Sequence, residues 1–148
     1  MLAVGRLICA HSALTRELSA HLVEEHGLTL SEFELLMLLA RAPGRAMRRV
    51  DLAKEVRLSP SGVTRMLDRL ELAGLVGRRS CRDDGRVTYA ELTDAGLAKL
   101  ERCAPDHSAA AERLLAQRFD SGELDSLVDL LGRLSAPADG KRNGALAG

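Results

Sequence analysis

The stretch that most restricts how this chain can fold is SPSGVTRMLDRLELAGLV, which begins at Ser59. Ser59 suits a helix N-cap, since its hydroxyl can take an otherwise orphaned backbone N–H, and Pro60 suits the first helical position, where its missing N–H costs nothing. Val63, Met66, Leu67 and Leu70 follow at i, i+3, i+4 and i+7, so one face of a helix over residues 59–73 is apolar. The other face and the first turn carry Ser61, Gly62, Thr64, Arg65 and Arg69. Just upstream, residues 50–57 read as a short helix with Leu52, Ala53 and Val56 inward. A short helix, a brief turn and a second helix with a polar, basic leading end form a helix-turn-helix. Downstream, LVGRRS and VTYAEL are rich in β-formers and flank CRDDGR, whose Asp-Gly pair favours a tight hairpin turn. That hairpin is a wing.

The flanks are helical. Val4, Leu7, His11, Leu14, Leu18 and Leu22 alternate at three- and four-residue spacing over residues 2–26, and Gly27 closes that helix. Ser31 with Glu34 has the spacing of a capping box, and FELLMLLA behind it is apolar nearly all round, which predicts a buried helix over 31–41. Pro43 and Gly44 end it. From Thr93, which is expected to cap it, Leu97, Leu100, Ala104, His107, Ala111, Leu114 and Leu115 line one side of a long helix in which Pro105 is expected to make a kink. Asp120 and Glu123 form a second capping-box pair ahead of Leu124, Leu127, Val128, Leu131 and Leu134. The tail APADGKRNGALAG has no periodicity and is expected to be disordered.

The fold class is therefore mainly α with a small β-wing. One domain is expected over residues 1–148, with the winged helix-turn-helix at 29–96, long helices at 1–28 and 97–135, and a disordered tail at 136–148. The apolar stripes on the two outer segments exceed what one small winged unit can cover, so these segments are expected to be dimerisation helices.

Charge sharpens the reading. The net charge is zero, yet residues 45–92 carry eleven Lys/Arg against seven Asp/Glu, and the rest of the chain ten against fourteen. A basic middle between acidic arms suits a middle that meets phosphate. No apolar run reaches the roughly 18 residues of a membrane span and the first ten residues lack signal-peptide features, so a cytoplasmic protein that does not engage a membrane is expected. Cys9, Cys81 and Cys103 are odd in number and widely spaced, which indicates neither disulfides nor zinc. His11, His21, His26 and His107 show no metal-ligand spacing, and no nucleophile motif or Gly-rich phosphate loop is present, so no metal, cofactor or enzyme activity is expected.

From Arg65 onward the chain carries Leu70-Glu71, Gly74-Leu75-Val76, Asp84-Gly85-Arg86 and Leu92-Thr93-Asp94-Ala95-Gly96. Elements at these fixed separations resemble the multiple antibiotic resistance regulator (MarR) family, and the order of helices matches that family over nearly the whole chain. The resemblance implies a homodimer whose first and last two helices intertwine and whose winged parts straddle a pseudo-palindromic operator in double-stranded DNA. It also implies a transcriptional repressor released by a small-molecule effector, often a phenolic or aromatic acid. On this reading Ser61, Thr64 and Arg65 face base edges, Ser59, Gly62 and Arg69 complete the helix's DNA-facing set, and Arg86, oriented by Asp84, enters the minor groove. His11 and His107 interrupt the apolar stripes where a pocket wall is expected, and Arg16 is a cation that can pair with an acid. Two alternatives stand beside this: a thiol-based redox response through Cys9, and a winged helix used for protein contacts. Against the first, the peroxide-sensing branch pairs its thiol with tyrosines, and the one tyrosine here is Tyr89 in the wing.

Overall fold

A computed structural model describes residues 1–56, 58–80 and 88–135. Among these residues six α-helices and three strands follow in the order α1 (Leu2–His26), α2 (Leu30–Arg41), β1 (Ala46–Arg48), α3 (Arg49–Glu55), α4 (Pro60–Leu72), β2 (Val76–Ser80), β3 (Thr88–Leu92), α5 (Asp94–Ala116) and α6 (Ser121–Ser135), with a 3-10 turn at Pro43–Arg45. The chain divides into two compact units, Met1–Ala111 and a second beginning at Glu112.

In the first unit, Leu22 of α1, Leu35, Leu36 and Leu39 of α2, Leu52 of α3, Val63, Leu67 and Leu70 of α4, and Leu100 and Cys103 of α5 close on one core. The all-round apolar character of α2 is thereby satisfied: it is the central helix against which the others pack. Its start differs from the sequence reading. Thr29, not Ser31, is the N-cap, and its partner is Glu32: the Thr29 hydroxyl accepts from the Glu32 N–H at 3.3 Å while the Glu32 carboxylate accepts from the Thr29 N–H at 2.8 Å. Both Thr29/Glu32 and Ser31/Glu34 have the required spacing. The earlier pair wins because Glu34 is exposed, whereas Glu32 is turned inward to a partner described below. Gly27 adopts φ 66°, and its N–H and that of Leu28 return to the Val23 and Leu22 carbonyls, closing α1 as expected.

The sheet has order β1-β3-β2, all antiparallel, with Val76 opposite Leu92 and Ser80 opposite Thr88. The third strand, β1, pairs Met47 with Ala90 and has no counterpart in the sequence pattern, and α3 begins one residue earlier than that pattern suggests. The base of the hairpin is locked to α5. Gly74 takes φ 71°, the Thr93 hydroxyl donates to the Gly74 carbonyl at 2.7 Å, the Thr93 N–H donates to the Leu75 carbonyl at 3.1 Å, and the Gly96 N–H donates back to the Thr93 hydroxyl at 3.0 Å. Thr93 thus caps α5 and ties it to the wing at once. Helix α5 continues through Pro105 to Ala116, one long helix as its apolar stripe predicts.

In the second unit, Asp120 and Glu123 form the expected reciprocal cap, with bonds of 3.0 and 2.9 Å, ahead of α6. Val128, Leu130, Leu131 and Leu134 of α6 are exposed within this single chain, as are Leu2, Val4, Leu7 and Ile8 of α1 in the first unit. Among the described residues no helix is long and apolar enough to cross a membrane. Residues 81–87, with the expected wing contacts Asp84 and Arg86, and residues 136–148, expected to be a disordered tail, lie outside the described residues.

Candidate nucleic-acid interface

Helix α4 is set by its cap and its apolar stripe. The Ser59 hydroxyl accepts from the Gly62 N–H at 3.1 Å and lies 3.2 Å from the Ser61 hydroxyl, while Pro60 opens the first turn. Val63, Leu67 and Leu70 are buried, so Ser61, Thr64, Arg65, Asp68 and Arg69 are left on the outer surface. The Thr64 hydroxyl donates to the Pro60 carbonyl at 2.9 Å, which leaves its oxygen lone pairs toward other donors. A Cβ at Gly62 would stand 3.2 Å from the Ser59 oxygen, close enough to press on the cap, so the absence of a side chain keeps this turn open. The exposed positive end of the helix dipole, with the Ser61 N–H in its first turn, favours an anion there.

The cations of this region divide sharply by partner. Arg45 pairs with Asp94 at 2.9 Å, Lys54 with Asp51 at 3.4 Å and Arg79 with Glu91 at 3.5 Å, and Arg79 also lies over the Tyr89 ring. Arg78 of β2 reaches both Asp68 and Glu71 of α4, bracing the hairpin against the helix, and Arg49 stands 3.9 Å from Asp68. Arg69, expected from sequence among the DNA-facing residues, has its guanidinium on the buried Glu32 of α2 through Nε at 2.7 Å and Nη2 at 2.5 Å. Among the described residues Arg65 has no such partner, and neither does Arg48 at the end of β1, which sequence reasoning did not single out. Arg65 therefore projects from α4 with its donors uncommitted.

A second feature lies across the first unit. A groove of roughly 530 Å³ is lined by His11 of α1, Phe33, Glu34, Met37, Leu38 and Arg41 of α2, and Glu55 at the end of α3 with Val56 after it. It includes His11, as the sequence suggested, but its cation is Arg41; Arg16 is exposed and is not among the lining residues. Arg41 was legible only as a basic residue in the last turn of α2. His107 stands behind the groove, with its ring tilted at 50° to Phe33 and 4.8 Å away between centroids. Its Nδ1 and the Nε2 of His21 are buried and without hydrogen-bond partners. Burial, with His21 beside it, lowers the His107 pKa below the ordinary imidazole value, and Glu34 opposes this. Cys9 is exposed, whereas Cys103 is buried and its thiol pKa is pushed up by desolvation, the opposite of a reactive thiolate. Among the described residues no group of His, Cys, Asp and Glu has the arrangement of a metal site.

The sequence pattern of the MarR family matches residues 28–88, the stretch from the α2 cap to the start of β3. The chain is 32% identical over 114 residues, 77% of its length and 68% of the relative's, to the HTH-type transcriptional repressor YetL of Bacillus subtilis. It is 30% identical to Sco3205, a MarR family transcriptional regulator from Streptomyces coelicolor crystallised in complex with DNA, with a TM-score of 0.79 over 93% of this chain and 88% of that one. Wild-type MarR from E. coli superposes equally well, at 28% identity and TM-score 0.79 over 88% and 95% of the two chains. On these grounds the chain belongs to the MarR family of transcriptional regulators.

Proposed function

We propose that this chain is a dimeric transcriptional repressor that reads a pseudo-palindromic operator through α4 and is released by a small weak acid. The observation that carries the reading is Arg65: an exposed guanidinium just past the capped start of α4 with no ion-pair partner among the described residues, whereas Arg69 on the same helix and Arg78 beside it are engaged within the protein. A guanidinium so placed can form the bidentate pair with guanine O6 and N7 that dominates specific major-groove contacts, with Ser61 and Thr64 beside it. Ser59 and the Ser61 N–H supply phosphate contacts at the turn that Gly62 keeps open, and Asp84 and Arg86 supply the wing contact in the minor groove. YetL is itself a repressor, and Sco3205 was captured on DNA, which supports the same role here.

Dimerisation follows from the exposed apolar residues of α1 and α6, which need a partner surface and which large obligate interfaces supply. The acid is assigned to the groove carrying His11 and Arg41, where a carboxylate can meet the Arg41 guanidinium and an apolar body can lie on Phe33 and Met37. His107 supports that wall from behind through Phe33.

Selection of binding duplexes from random-sequence DNA tests the reading. The expected product is a two-fold symmetric sequence bound by two protomers, and Arg65→Ala is expected to lose about 1–3 kcal/mol of preference at one position in each half-site. No enrichment above scrambled DNA, or an Arg65→Ala variant with the full wild-type preference, refutes it.

A further inference from the structure

Glu32 is the one buried charged residue in the described core, 2% exposed, and its carboxylate is fully occupied. One oxygen accepts from the Thr29 N–H at 2.8 Å and the Thr29 hydroxyl at 2.9 Å, and the other takes the Nε and Nη2 of Arg69. Arg69 is on the exposed side of α4, 63% accessible, and it bends back across 37 residues of sequence to reach this acid. Two further facts make the contact directional. Arg69 follows Arg65 by four residues, so both sit on one face of α4, about one turn apart. The acid it grips is itself fixed at the capping turn between α1 and α2, so its oxygens have little freedom to follow a moving helix.

Apolar packing alone leaves α4 poorly indexed. Val63, Leu67 and Leu70 form a stripe, and a stripe can slide or roll by a fraction of a residue against α2 at small cost in buried area. A planar guanidinium meeting a buried carboxylate has no such tolerance, because a roll that separates them leaves the acid buried and unpaired. We propose that Glu32 and Arg69 are positioning residues that index α4 against α2 and so fix the pose in which Arg65 is presented to DNA. Arg69 then acts through Glu32 and not by touching phosphate. This inference rests on the reading of α4 as the recognition helix.

The sign of the charge effects separates the two roles of Arg69. Removing a cation that touches phosphate weakens binding to every sequence and lowers the salt slope by about one for each phosphate no longer neutralised, and removing an anion beside DNA strengthens binding. Removing either half of an indexing pair instead weakens binding to the preferred sequence alone. The experiment uses the full chain and variants Glu32→Ala, Glu32→Gln, Arg69→Ala and the double Glu32→Ala/Arg69→Ala. Two probes are titrated by fluorescence anisotropy over a graded salt series: the duplex selected by the wild-type chain, and a scrambled duplex of equal length. Circular dichroism gives the folded fraction, to which each affinity is normalised.

The expected result is a loss of about tenfold or more on the selected duplex for both Glu32→Ala and Arg69→Ala, the scale of a hydrogen bond to a charged group. The double variant is expected to be no weaker than the worse single one, as for two residues acting as a unit. Salt slopes and scrambled-duplex affinities should match wild type. Glu32→Gln, which retains an acceptor for Arg69, should recover most of the loss. A salt slope reduced by about one per protomer in Arg69→Ala, with Glu32→Ala binding as tightly as wild type or tighter, overturns the proposal and makes Arg69 a phosphate contact. If Glu32→Ala does not fold, Arg69→Ala and Glu32→Gln decide between the same two outcomes. Arg65→Ala on the same probes keeps the failures apart: an unchanged preference there sinks the reading of α4 itself, whereas a weakened preference there with wild-type behaviour of the Glu32 and Arg69 variants sinks only the indexing.

Discussion

Gly96→Ala should be among the most damaging single-methyl changes available to this chain. Gly96 is buried in the first turn of α5, and a Cβ built on it would overlap the Leu75 carbonyl oxygen and crowd a Leu92 methyl. Leu75 is backbone at the entrance to β2 and cannot swing aside as a side-chain tip can. Relief requires α5 to lift from the hairpin base, which strains the Thr93 bonds to the Gly74 and Leu75 carbonyls. Loss of those two bonds costs about 1–3 kcal/mol, and residual overpacking adds about 1–3. The better helix propensity of alanine returns about 1 kcal/mol. A net destabilisation of about 1–5 kcal/mol results, which for a protein of this size corresponds to a fall in Tm of roughly 3–15 °C. Thermal unfolding followed by circular dichroism at one fixed protein concentration measures it. Gly122→Ala is the control, since its Cβ would meet nothing nearer than the Asp120 carboxylate at 3.5 Å, and its stability should be unchanged or up to about 1 kcal/mol higher. A Gly96→Ala protein that melts with or above wild type would show that the lock between wing and α5 has slack, and the argument from the close approach would be wrong.

Two further outcomes follow from the buried titratable groups. The lowered pKa of His107 means that the unfolded chain takes up the proton first: stability is full above about pH 6.5 and declines as pH falls from there toward the folded-state value. Urea midpoints between neutral and mildly acid pH should therefore drop more steeply in wild type than in His107→Gln, and equal slopes would discard the assignment. Iodoacetamide should label the exposed Cys9 in the native protein and reach the buried Cys103 only with denaturant, as peptide mapping would reveal; rapid native labelling of Cys103 would contradict its place in the core.

Much of this architecture was legible because it is written locally. The Ser59 cap, Pro60 and the Val63, Leu67, Leu70 stripe specify α4 within a dozen residues, and Asp120 with Glu123 does the same for the start of α6. Strand β1 was not legible: three residues have no periodicity to read, and Ala46–Arg48 is a strand because β3 offers an unpaired edge. Helix α5, by contrast, was legible through Pro105 from its stripe of Leu97, Leu100, Ala104 and Leu114. The proline forfeits one backbone bond, but Leu100 and Cys103 are anchored in the core on the preceding turn, and packing outweighs the local signal.

The same distinction explains why the interface was only half readable. Helical periodicity places Arg65 and Arg69 on one exposed face and says nothing to separate them, since both are four-residue neighbours on a polar surface. What separates them is Glu32, 37 residues before Arg69 and, in sequence, one of two acids at capping-box distance from a hydroxyl residue around the start of α2. Choosing Thr29/Glu32 over Ser31/Glu34 is therefore the same decision as choosing which arginine is free, because the cap that forms is the one whose acid a second helix needs. Once Glu32 is turned inward by its cap, burial without a cation would be costly, and Arg69 is the group within reach. Arg65, one turn nearer the start of α4, is then left with its donors facing outward, and the specificity assigned to α4 depends on an acid that lies on a different helix.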